Sequence, residues 1–245
     1  MNERPALPPI FSAFSVDADV RPFERAMTLA KGNTTDAGTL IWSERKNAYE
    51  SALVLLPDQS LEASLPVALV ALLGLGHALG TLIPPVVSIT FGWPNKLEIN
   101  GGIAGGIRVA IAETPNPTAV PDWLVIGFDL ANEGAWTKKN DAGQHYTSLA
   151  EEGCQIDHVD LLEALGRHLL SWINRWQSDG IQPVQQAWMS RANELGKHIE
   201  IEIAGRSKKG IFKGVNELGG IELVDQGRHQ IIPLSEALLT PAPVS

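Results

Sequence analysis

Cysteine is almost missing from this chain: Cys154 is the single one in 245 residues, so no intrachain disulfide can form and a reducing compartment is expected. Basic residues are outnumbered, 19 Lys+Arg against 28 Asp+Glu for a net charge of −9. That excludes broad electrostatic capture of nucleic acid or of an anionic membrane, since both need a basic surface. No DNA partner and no membrane partner are therefore expected, and any polyanion site must be local. The Asn-Glu-Arg-Pro opening has no apolar stretch of the secretory kind, which makes the cytoplasm the expected compartment. The six histidines show no His-x-x-x-His or Cys/His spacing, so no metal site is expected. There is no internal repeat and no low-complexity tract. What is there is 44% hydrophobic and 19% charged, a globular composition long enough for one large domain, or one large and one small.

Long apolar runs are equally scarce, with one exception. Leu65–Ile83 carries about 19 residues without Asp, Glu, Lys or Arg, close to a bilayer-spanning length. Pro66, Gly74, Gly76, His77 and Gly80 interrupt it, and the better reading is a helix buried on nearly all sides, from about Ser60 to Gly80.

Around it, residues 1–20 are Pro-rich and without period, an extended arm on the body. Phe23–Ala30 reads as a short amphipathic helix. Thr39–Trp42 and Ala52–Leu56 read as buried strands, plausibly a hairpin with a connection of about nine residues. Val86–Phe91, Leu97–Ile99, Ile107–Ile111 and Leu124–Leu130 add four more, for a sheet of about six strands. Residues 131–150 have turn composition and no period, a loop long enough to suggest function or mobility. Leu161, Leu165, Leu169, Trp172 and Trp176 then mark one face of a long helix capped by Asp157 and ended by Gly180, and Ile181, Val184 and Trp188 mark another. From Ile199 onward the period becomes two, with runs near Ile211-Phe212, Ile221–Val224 and Gln230–Ile232 separated by glycine turns. That predicts a small all-β unit, a partly open barrel.

Most motifs reduce to structure. Gly74–Gly80 has its last glycine one residue late for a dinucleotide fingerprint and ends a helix instead of opening one. Gly101–Gly106 lacks the Gly-Lys-Ser/Thr ending of a phosphate loop and reads as a β-turn. Glu151, Glu152, Asp157 and Asp160 flank a helix start, where carboxylates suit the dipole. They also surround Cys154 and oppose its thiolate. Gly92-Trp93-Pro94-Asn95-Lys96 is more informative: a rigid strand-to-strand turn whose Asn offers donor and acceptor to a small ligand.

That turn, the glycine-rich stretch, Ile107-Arg-Val-Ala-Ile111 and Leu124-Val-Ile-Gly-Phe-Asp-Leu130 follow in an order that resembles the catalytic domain of the biotin/lipoate protein ligase superfamily. There a Trp-Pro-Asn-Asp turn precedes a Lys, an Ala-Gly-Ile strand and an Ile-Gly-x-Gly strand. Tyr146–Asp157 resembles the family's Thr-Ser-Leu segment, and the stretch near 195–240 resembles the SH3-like barrel that closes those ligases. The resemblance spans roughly residues 20–240 and does not include the DNA-binding domain some members carry.

The resemblance implies an α/β (α+β) fold: a mixed sheet with packed helices over residues 1–194, then a small SH3-like β-barrel over 195–245. It implies ATP with magnesium, and biotin or lipoate, as the cofactors of an active member, a biotinyl or lipoyl carrier domain as partner, and a homodimer. Ligand binding would fall to Arg45, Trp93, Asn95, Gly102, Gly105, Gly106 and Gly127. Lys96 and Arg108 would stand in as catalytic groups for basic residues this sequence lacks. The family's Gly-Arg-Gly-Arg-Arg-Gly-like loop is represented here by Trp42–Glu50, which has no glycine and keeps only Arg45 and Lys46. The essential Lys maps near Gly102 or Ile103, Lys96 takes the Asp position of the turn, and Asp129 takes the second glycine of the strand. Three functions follow: a divergent ligase acylating a carrier lysine, a non-catalytic homologue binding a carrier domain or an acyl or nucleotide ligand, and, least favoured, a Cys154-dependent acyltransferase.

Overall fold

The computed structural model describes residues 5–43, 45–114, 116–134, 144–203 and 205–239. Of the loop expected at 131–150, residues 135–143 lie outside the described residues, as do the first four residues of the arm and residues 240–245.

The main sheet has seven strands, one more than expected. In chain order these are β1 (Ser12–Val16), β2 (Thr39–Ser43), β3 (Ala48–Leu55), β4 (Ile89–Gly92), β5 (Lys96–Ile99), β6 (Gly102–Ile111) and β7 (Leu124–Ala131). In space they run β1-β2-β3-β7-β6-β5-β4. Only the β1–β2 pair is parallel, so the sheet is mixed. The additional strand comes from the arm: β1 lies along β2 and forms an edge. The hairpin of β2 and β3 is present, but its connection is four residues, not about nine, because β3 begins at Ala48.

Both faces of the sheet are covered, which explains why β2 and β7 are buried along their whole length. Alternation then sorts the side chains. Leu40, Trp42, Leu53, Ile126 and Phe128 face a large core formed with α3 (Val67–Leu82) and α4 (His158–Asp179). Ile41, Ala52, Val54 and Val125 face a smaller cluster with Phe23, Ala26 and Ala30 of α1 (Pro22–Lys31).

The long apolar run is the centre of the large core. Ser60 caps a single turn, α2 (Leu61–Ser64), by accepting from the Ala63 N–H, and α3 continues past Gly80 to Leu82, where Ile83 turns extended. Gly80 is therefore not the terminator. The glycines serve packing: a Cβ at Gly74 would stand 3.1 Å from the Leu169 Cα, and one at Gly76 would stand 2.7 Å from the Phe91 ring. α4 starts where Asp157 accepts from the Val159 and Asp160 N–H groups at 2.7 and 3.3 Å, and it ends at Gly180 with φ 76°.

Gly101–Gly106 is not a single turn. Only Asn100 and Gly101 turn the chain, with the positive φ values of 49° and 84° that a two-residue hairpin loop requires. Gly102–Gly106 are already in β6. Gly105 and Gly106 lie so close to neighbouring strands that a Cβ on either would stand 2.0 Å from the carbonyl oxygen of Asp129 or of Asn95.

After α5 (Gln182–Met189) comes a four-stranded antiparallel sheet of β8 (His198–Ile203), β9 (Arg206–Val215), β10 (Ile221–Asp225) and β11 (Arg228–Ile232), ordered β11-β10-β9-β8. Ile199, Ile203, Phe212, Ile221 and Leu223 point inward and continue the large core. Trp188 sits fully buried between Phe91 and Phe212, its ring centre 6.2 and 6.4 Å from theirs. A last short helix, α6 (Leu234–Leu238), follows.

Candidate functional site

The register of the sheet builds a polar row on the face that α1 covers. Ser43 pairs with Glu50, Glu50 with Asp129, Asp129 with Gly106, and Gly106 with Lys96. Each is two residues from a neighbour on the α1 side, as Ser43 is from Ile41 and Glu50 from Ala52, so their side chains share that face. Gly106 has no side chain between Asp129 and Lys96, and the Asn95 carbonyl oxygen closes on it, 2.0 Å from where a Cβ would stand. In the adjacent row Ile41, Ala52, Gly127 and Arg108 stand abreast. The first turn of α1 lies over them: Phe23 packs on Gly127, where a Cβ would stand 2.6 Å from the ring.

Arg108 is held by two carboxylates and an aromatic ring. Its Nε and Nη2 donate to both Asp129 carboxylate oxygens at 2.7 and 3.1 Å, and its Nη1 donates to Glu24 at 3.0 Å. The guanidinium carbon lies 4.3 Å from the Phe23 ring centre, a cation–π contact. Burial works against its charge, but the hydrogen bond and attraction of Asp129, with Glu24 behind, more than offset that and hold its pKa above the ordinary value.

Glu50 forms the second knot. One carboxylate oxygen, Oε1, meets Arg21 Nη2 at 3.2 Å and Arg45 Nη1 at 3.5 Å, and its side chain is 2% exposed. Burial raises its pKa, while Arg21 and Arg45 pull the other way. Arg45 also spends its Nε on the Ala18 carbonyl at 2.8 Å. Among the described residues four buried side-chain polar atoms have no partner, and three are here: Glu50 Oε2, Ser43 Oγ and Arg21 Nε. An unmet acceptor, an unmet donor and a hydroxyl able to act as either thus sit on adjoining residues, Ser43 paired with Glu50 across β2 and β3 and Arg21 bonded to Glu50, and buried polar atoms of this kind ordinarily find a partner.

Of the residues singled out from the sequence, Lys96, Arg108, Arg45, Gly106 and Gly127 come to this face. The others do structural work. Trp93 is buried and its Nε1 donates to the Gly219 carbonyl at 2.9 Å, tying the turn to the β9–β10 connection. Asn95 folds back on β6, donating from Nδ2 to the Ile107 carbonyl at 3.0 Å while its own carbonyl accepts from the Ile107 N–H. Gly102 makes room for Thr147 and His145, and Gly105 for the backbone of Asp129. Lys96 has no carboxylate partner among the described residues, and its stem packs on Gly92.

Cys154 is 2% exposed, and burial followed by the Glu152 charge pushes its thiol up. His77 accepts from the Trp172 indole at 3.0 Å, and burial, with Arg191 and His168 nearby, brings its pKa down to about 4. Among the described residues no three His, Cys, Asp or Glu side chains gather as metal ligands. Sequence reasoning missed Ser43, Glu50, Arg21, Glu24 and Phe23. Glu50 and Ser51 inside an otherwise apolar Ala48–Leu55 strand were the available signal.

The face thus holds three guanidiniums already engaged by carboxylates, Arg21 and Arg45 sharing Glu50 and Arg108 taking Asp129 and Glu24. It can take a small group that offers a donor and an acceptor together, and Lys96 is its one cation without a carboxylate partner among the described residues.

Comparison with known proteins follows the same sheet and helices. The model of the biotin/lipoate A/B protein ligase family matches residues 7–190. A biotin–[acetyl-CoA-carboxylase] ligase of Paracoccus denitrificans is 28% identical over 197 residues, 80% of this chain and 81% of that protein. A crystal structure of a biotin protein ligase-like protein of unknown function from Silicibacter is 32% identical, covers 97% of this chain and 100% of its own, and superposes with a TM-score of 0.86. The biotin protein ligase of Aquifex aeolicus, solved in complex with biotin and ATP, shares the fold at 17% identity and a TM-score of 0.71 over 92% of this chain and 97% of its own.

Proposed function

The chain belongs to the biotin/lipoate A/B protein ligase family, and from that premise we propose that it is a homologue that binds a biotin-like ligand without adenylating it. The observation that carries this reading is Arg108, whose fork is closed by Asp129 and Glu24. Joining a carboxylate to AMP requires cations preorganised around phosphate, and losing one such donor typically costs about 3–4 kcal/mol of transition-state stabilisation. Here Arg108, Arg21 and Arg45 would each have to leave a carboxylate first. These residues do not suit ATP.

The unmet atoms suit the other half of the chemistry. Glu50 Oε2 wants an N–H, Arg21 Nε wants an oxygen, and Ser43 Oγ accepts either. The cyclic urea of biotin offers N–H and C=O side by side, whereas the dithiolane of lipoate offers neither. Biotin is therefore preferred over lipoate. A biotinyl carrier domain as partner and the cytoplasm as compartment accompany this reading.

A ligase reading has one observation in its favour: Lys96, which pairs with Gly106 across β5 and β6, has no carboxylate partner among the described residues. ATP–pyrophosphate exchange with biotin, lipoate and octanoate separates the two. The expected result is no exchange with any of them, together with stabilisation by biotin of about 2.7 kcal/mol at a hundredfold excess over Kd, lost in Glu50→Gln and Ser43→Ala. Robust exchange that disappears in Lys96→Ala would establish the ligase instead. Absence of any biotin-induced shift would refute the binding reading.

A further inference from the structure

At the opposite ends of the same strands lies a second concavity. Leu55 pairs with Leu124 where β3 ends and β7 begins, about 17 Å along the strand from the Glu50–Asp129 pair at roughly 3.3 Å per residue. There the β3–α2 connection, the start of α3, the last turns of α4 and the β9–β10 turn enclose a groove of about 550 Å³, within the size range of small-molecule sites.

Its character differs from that of the polar row. The body is apolar: Ile173 and Trp176 from α4 line it, with Leu56 and Leu218 at its sides, 52% and 44% exposed. Its charge is of one sign. Asp58 and Glu217 line it, and no Lys, Arg or His is among its described lining residues. The C-terminal end of α4, a helix of 22 residues with no basic residue in its last turn, contributes Gln177 and Gly180, and a helix C-terminus favours a cation. Arg175, the nearby cation on α4, is engaged by Asp179 at 3.8 Å and does not line the groove.

We propose that this groove is a second ligand site, separate from the polar row, and that it takes a small organic cation with an apolar body, an alkyl- or arylalkylammonium compound. The apolar part lies against Trp176, Ile173, Leu56 and Leu218, and the ammonium lies toward Asp58, Glu217 and the carbonyl end of α4. A carboxylate of the same shape meets two like charges and a negative helix end, and is excluded.

Phenylbutylammonium, phenylbutyrate and phenylbutanol provide the test, titrated into the full chain with calorimetry and chemical-shift mapping as readouts. The ammonium compound is expected to bind saturably, with shifts at Trp176 and Leu218. It should bind more weakly as salt rises, and weaken about five- to tenfold in an Asp58→Asn/Glu217→Gln double variant, since each exposed charge contributes modestly. Leu218→Lys, which places a cation at the rim, should abolish binding while leaving thermal stability unchanged. Glu50→Gln should leave it intact, which separates failure of this site from failure of the biotin-like site. Equal binding of phenylbutyrate, unchanged affinity in the double variant, or no saturable binding of the ammonium compound would each overturn the proposal.

Discussion

Replacing Asp129 with Ala removes two of the three charge-assisted hydrogen bonds of Arg108 and leaves Glu24 as its carboxylate partner. Breaking a fully buried ion pair costs about 3–5 kcal/mol, because a charge is stranded. Here the Arg108 side chain is 35% exposed and that of Asp129 11% exposed, so water reaches the guanidinium and the expected cost falls to about 2 kcal/mol. For a chain of this size that is a loss of about 4–8 °C in Tm. Urea denaturation of wild type, Asp129→Ala, Arg108→Ala and the double variant should give a coupling energy of about 1–2 kcal/mol at an unchanged m-value. A cost below about 0.5 kcal/mol with no coupling would mean that the fork is loosely held and free for a ligand. The main support for a non-adenylating protein would then be gone.

His77 is neutral in the fold, with its pKa brought down to about 4 by burial, so the unfolded chain binds the extra proton first. Stability should fall as pH drops from about 6.5 toward 4, and a His77→Gln variant should flatten that slope in acid denaturation. Cys154→Ser should leave biotin-induced stabilisation unchanged, and the native thiol should react with a colorimetric disulfide reagent far more slowly than the unfolded one, because it is buried and pushed up. Fast native labelling would contradict that placement. Gly106→Ala should cost at least about 3 kcal/mol or prevent folding, since its methyl would stand 2.0 Å from the Asn95 carbonyl oxygen; near-neutral stability by urea denaturation would contradict the close approach.

The fold was readable where side chains repeat with a period. Leu161 to Trp176 gave α4, Asp157 its cap, and Ile199 to Ile203 the change to strand. What could not be read were pairings between distant segments. β1 is an edge strand because β2 offers it a partner, not because Ser12–Val16 has strong strand character, and Gly102–Gly106 is a strand because Asn95 and Asp129 press against it. The candidate site divides in the same way. Arg108, Gly127 and Gly106 were found through a linear motif. Ser43, Glu50 and Arg21 become a site only through register, which joins residues from β2, β3 and the start of α1. Trp93 and Asn95 belong to the same motif, yet the Trp93 indole N–H and the Asn95 Nδ2 each donate to a backbone carbonyl within the fold.

The hydropathy of α3 also bears on how the chain is made. The Leu61–Leu82 stretch reaches a mean hydropathy of 1.9, and among the described elements its most extensive contact is with α4. That cover lies far downstream, since α3 ends at Leu82 and α4 begins at His158. At about 5–20 residues per second, a nascent chain presents this segment to its surroundings for roughly 4–15 s before its partner exists. During that interval only the strands β4 to β7 are available to cover it, and a chain truncated before α4 is expected to leave its α4-facing side exposed.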